Sequence, residues 1–149
     1  MKLNLLLGHV LALVLGGIIY VLFRSSSLLM FKWFQNLGIG NEINEIRKLT
    51  IPLSKSLPDW ILYSLPDGLW VFSYMALMLF IWNRNITAQN ILWFFLVPIL
   101  AIGSEVFQYL KFLPGTFDPK DLLIYFLGTT LPFVTFRNSL VKKTKFNGF

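Results

Sequence analysis

The chain holds seven acids, and the chemistry open to it rests on where they fall. Glu105 and Gln108 stand three apart, so on a helix they share one face. Asp121, Tyr125 and Gly128 follow at i, i+4 and i+7, one stripe down the next helix. The short connection from Lys111 to Phe117 makes these two helices antiparallel neighbours, so the two stripes can face each other. Asp67 and Asp118 belong to the same end of the molecule. Asp67, Glu105, Gln108, Asp118, Asp121 and Tyr125 therefore form a candidate polar cluster. Carboxylates gathered in this way can hold a hard cation through oxygen or serve as acid and base. Plainer roles stand beside these. Asp67, Asp118 and Asp121 lie where a helix N-terminus favours an acid, and Glu105 could pair with Lys111 or a backbone group. Glu105 is the most informative of the set, because an ionisable group within an apolar segment is costly and usually faces a helix-bundle interior or a watery cavity.

Other chemistries lack their residues. There is no cysteine and one histidine, His9, which excludes thiolate nucleophiles and thiolate metal sites. No H-E-x-x-H, G-x-S-x-G or P-loop pattern is present, so the sequence calls for no catalytic residue, metal or cofactor.

Apolar segments must position the cluster. Hydrophobic residues make up 56% of the 149 and charged ones 13%, about half of what a soluble domain carries. With a mean hydropathy of +0.66, this composition describes one integral membrane domain over residues 1–149. Four transmembrane helices are predicted, over residues 3–23, 65–82, 90–110 and 119–136. The first reaches about 31 Å and is read as an uncleaved anchor. Its Gly8, Ala12 and Gly16 form a small-residue stripe that lets a helix approach closely, whether from this chain or another protein.

Ser27 to Phe34 has the make-up of a short interfacial helix, whereas Asn36 to Lys55 is polar and reads as an exposed loop. Ser56-Leu-Pro-Asp59 and Ser64-Leu-Pro-Asp67 repeat a hydroxyl, a proline and an acid, which predicts serine caps on a short helix near Pro58 and on the second span. Asp118-Pro-Lys-Asp121 has the same form with Asp118 as cap. Pro98 and Pro132 lie inside spans and are expected to bend them. Trp33, Trp60, Trp70, Trp82 and Trp93 fall near interfaces.

Four spans put both termini on one side, with Lys2, Arg84, Arg137, Lys142, Lys143 and Lys145 and no acid. Arg24, Lys32, Arg47, Lys48, Lys55, Lys111 and Lys120 lie on the other side, as do all the acids. The expected placement is a plasma (bacterial inner) membrane with both termini cytoplasmic. The net charge of +6 is then a matter of orientation and anionic lipid, not of nucleic acid.

Glu105-x-x-Gln108, a loop with Pro114-Gly115, and Asp121-x-x-x-Tyr125-x-x-Gly128 resemble the signature region of VanZ-like membrane proteins. That family has Glu-x-x-Gln ending one span and Asp-x-x-x-Asn-x-x-Gly opening the next. The resemblance covers about residues 101–132. Tyr125 stands where the family has Asn, and Gly115 or Thr116 where it has a loop arginine. It implies a small multi-span bacterial protein with a role at the cell envelope. Three functions remain open: binding of an envelope ligand or partner, an enzyme acting on a lipid-linked substrate, and a subunit of a larger membrane assembly.

Overall fold

A computed structural model describes residues 2–136 of the chain. The predicted basic tail, with Arg137, Lys142, Lys143 and Lys145, lies outside the described residues. The described residues form helices with no strand: α1 (Lys2–Phe23), α2 (Leu29–Asn36), α3 (Gly40–Thr50), a 3-10 turn (Ile51–Ser56), α4 (Asp59–Leu62), α5 (Ser64–Ile81), α6 (Ile91–Tyr109) and α7 (Pro119–Thr135).

Three segments are long and apolar enough to cross a membrane: Leu3–Phe23, Ser64–Ile81 and Ile91–Tyr109. The fourth predicted span coincides with α7, which has 17 residues and opens with Pro119-Lys120-Asp121. Its apolar part reaches about 22 Å, short of a hydrocarbon core of about 30 Å. Pro98 and Pro132 are both buried, and α6 and α7 continue unbroken through them.

The most enclosed of these helices is α5, which packs chiefly against α1 and α7. Small residues set both approaches. A Cβ on Gly16 would lie 3.0 Å from the Pro66 carbonyl oxygen of α5 and 2.8 Å from Trp70 Nε1. One on Gly128 would lie 2.6 Å from the Gly68 carbonyl oxygen. The stripe on α1 is thus filled within the chain: Ala12 is buried, Gly16 meets α5, and Gly8 lies under the Phe136 ring. His9 and Ser73 join the same two helices. The Ser73 hydroxyl donates to the His9 carbonyl at 3.0 Å, and His9 Nδ1 lies 2.7 Å from Ser73 Oγ. An apolar core of Leu5, Met75, Leu79 and Phe94 fills the end of the molecule near the α1 N-terminus. Outward-facing Leu, Ile, Val and Phe side chains cover α1, α6 and the far side of α7, a surface suited to lipid.

The region between α1 and α5 departs from expectation. Residues 36–55, read as an exposed loop, are largely helical in α3 and the 3-10 turn. The inward face of α3 is Ile43, Asn44, Arg47 and Thr50, with Arg47 only 5% exposed. Arg47 donates to the carbonyls of Val21 and Arg24, with 2.6 Å to the latter, and lies 4.5 Å over the Phe31 ring. The last carbonyls of a helix have no partner in their own ladder. A charged fork from α3 therefore closes the end of α1 and gives the segment its reason to fold. The segment expected as a short interfacial helix, residues 27–34, falls largely in α2, with Phe31 turned inward and Leu29 and Trp33 outward.

Candidate functional site

The C-terminal end of α1, the start of α5, the end of α6 and the start of α7 meet opposite the apolar core. Arg24 follows α1 directly. Its guanidinium donates to Asp67 Oδ2 at 3.2 Å and to the Tyr63 carbonyl at 3.0 Å. The Tyr20 and Tyr63 rings lie 5.1 and 5.2 Å from it, so the cation is held from several directions. Asp67 is therefore the ion-pair partner of Arg24, not a cap. The serines expected to cap do not. Tyr63 precedes α5 in a helical conformation with no side-chain cap, because α4 runs almost directly into α5. Ser56 instead donates back to the Leu53 carbonyl at 2.8 Å.

Asp118 does cap α7, accepting from the Lys120 N–H at 2.9 Å, with Pro119 supplying the fixed φ of a first helical residue. The same turn reaches back to α6, where the Asp118 N–H donates to Glu105 Oε2 at 3.3 Å. Glu105 is 3% exposed, and its partner is thus a backbone group rather than Lys111. One helical turn beyond Asp121, Tyr125 is buried at the α5–α7 contact, and Gly128 follows at the close crossing with Gly68.

These elements enclose a half-open cavity of about 660 Å³. The six residues of the predicted cluster all line it: Asp67 from α5, Glu105 and Gln108 from α6, and Asp118, Asp121 and Tyr125 from the start of α7. Arg24, Asp59, Tyr63, Ser104 and Thr116 complete the wall. Sequence reasoning passed over Arg24, which it left among loop residues. The available signal was the i, i+4 spacing of Tyr20 and Arg24, which carries the ring and the cation to one side of the helix end.

Within the cavity the charges are unequal. Five carboxylates face one guanidinium, and the Asp67–Arg24 pair uses that one. Asp121 Oδ1 is buried with no hydrogen-bond partner among the described residues. No group of three or more His, Asp or Glu residues close enough to hold a metal ion occurs among the described residues.

Fold and site together define an all-helical membrane protein with a polar, acid-rich cavity at one end of its apolar helices. No protein family, curated protein or solved structure matches the chain.

Proposed function

We propose that this chain is a small VanZ-like protein of the bacterial plasma membrane that binds an envelope ligand in its acidic cavity and does no chemistry on it. The observation that carries the reading is convergence: Glu105 and Gln108 of α6, Asp121 and Tyr125 of α7, Asp67 of α5 and Arg24 after α1 line one cavity of ligand size. Capping alone would account for Asp118, but not for a carboxylate as buried as Glu105. Binding is favoured over catalysis because the lining holds no histidine, cysteine or lysine. The Ser104 hydroxyl is also committed to the Ala101 carbonyl at 2.7 Å.

In this reading α7 is a short fourth span. Support comes from its outward Leu123, Phe126, Leu131 and Val134 and from its antiparallel course beside α6. Both termini are then cytoplasmic, and the cavity opens on the outer face. The absence of cysteine makes this directly testable. A membrane-impermeant maleimide added to intact cells labels Lys120→Cys and spares Asn85→Cys; the reverse pattern overturns the orientation.

Ligand binding itself is tested by native mass spectrometry of the full chain released from membranes. Wild type carries a bound adduct that Glu105→Gln lacks. Identical spectra from the two proteins refute the binding reading.

A further inference from the structure

We infer that the group this cavity receives is a protonated amine, an ammonium carried by a membrane-lipid headgroup or by a small soluble molecule. The inference rests on the binding reading above and adds the chemistry of the ligand. Of the five carboxylates at the cavity, Asp67 has its cation in Arg24, Asp118 is occupied as the cap of α7, and Asp59 is exposed to solvent. Glu105 and Asp121 are left, on neighbouring helices, with no cation against either among the described residues. Glu105 is 97% removed from solvent, and its one protein hydrogen bond, from the Asp118 N–H to Oε2, leaves Oε1 free to accept. Asp121 keeps a buried oxygen without a donor. A buried carboxylate is tolerated when it is paired, so the cavity lacks a donor that carries positive charge.

Shape and donor set narrow what that donor is. The volume, about 660 Å³, is far larger than a bare ion needs and lies in the range of organic ligands. A hard divalent cation takes six or more oxygens, or several waters held by clustered carboxylates, in close geometry. The described residues offer no such cluster. An ammonium carries three donors and is satisfied by oxygens on two or three sides. Glu105, Asp121 and the Tyr125 hydroxyl are the groups available to receive it. Arg24, fixed by Asp67 and two tyrosine rings, forms a wall that an anionic part of a zwitterionic molecule could approach.

Full-length protein in detergent is titrated with ethanolamine and with N-acetylethanolamine, following thermal stability. The same protein in nanodiscs of phosphatidylethanolamine, or of phosphatidylglycerol, is analysed for retained lipid by native mass spectrometry. The amine is expected to bind in at least one setting, and the N-acetyl compound and phosphatidylglycerol are not. Response to free ethanolamine identifies a soluble amine; retention of phosphatidylethanolamine alone identifies a headgroup. Glu105→Gln and Asp121→Asn each weaken binding by about tenfold or more, with circular dichroism unchanged, whereas Glu42→Gln, exposed on α3 and outside the cavity lining, changes it little. Equal binding of the N-acetyl compound, or undiminished affinity in both variants, overturns the inference. So does a Glu105-dependent response to calcium chloride with none to amines. An adduct on wild type that lacks an amine sinks this inference while leaving the binding reading intact; absence of any Glu105-dependent adduct sinks both.

Discussion

Replacing Arg47 with alanine should cost this protein more than any other exchange of a charged residue outside the apolar helices. The side chain is 5% exposed, donates to the carbonyls of Val21 and Arg24, and stacks on Phe31. Burial pushes its guanidinium below the ordinary arginine value, which still leaves it charged at neutral pH. A hydrogen bond from a charged donor contributes about 1.5–3 kcal/mol, and a cation over a ring about 0.5–2 kcal/mol. Taking the lower end for the two hydrogen bonds alone, Arg47→Ala loses about 3 kcal/mol and strands two carbonyls at the end of α1. For a chain of this length that lowers the thermal midpoint by roughly 6–12 °C. Far-UV circular dichroism of detergent-solubilised protein reads the shift. Arg47→Lys keeps the charge but not the fork, and should fall between the two. A midpoint for Arg47→Ala within about 2 °C of wild type would refute the claim that this side chain closes α1 and holds α3 in place.

At the α5–α7 crossing, Gly128→Ala puts a methyl group 2.6 Å from a backbone oxygen that cannot turn aside, and is expected to destabilise by about 1–3 kcal/mol. Gly17→Ala is its control, because a Cβ there meets nothing within 4 Å. It should be neutral or stabilising by up to about 1 kcal/mol, and equal melting of the two variants would show that the crossing is looser than described. Removing the α7 cap with Asp118→Ala should cost about 1 kcal/mol, and Asp118→Asn much less, since an amide oxygen can still accept from the Lys120 N–H. Equal losses in a thermal melt would mean that the charge, not the cap, matters there.

The sequence made the long helices legible almost to the residue, because unbroken apolar runs and Pro-bearing starts act locally. Residues 3–23, 65–82, 90–110 and 119–136 were expected, and α1, α5, α6 and α7 end within two residues of those bounds. It misled over α3, whose inward face centres on a charged residue. Arg47 lowers the hydropathy of the segment that it anchors, and its partners are the carbonyls of Val21 and Arg24, more than 20 residues earlier. The site was half legible. The stripes from Glu105 to Gln108 and from Asp121 to Tyr125 follow from helical spacing and a short connection. Arg24 reaches the cavity only because α1 lies against α5, and that depends on Gly16, Pro66 and Trp70 fitting together in space.

The bond between His9 and Ser73 spans 64 positions of chain. When α1 enters the membrane, its imidazole meets lipid with no partner, and the partner has yet to be synthesised. At ribosomal rates of about 5–20 residues per second, the wait is roughly 3–13 seconds. During that interval residues 24–63 emerge and can begin to fold around Arg47. Only the arrival of α5 satisfies His9 and lets Gly16 seat against Pro66. The first helix is thus held in the bilayer on credit until the second completes the hairpin, and the order of synthesis becomes part of how the structure is reached.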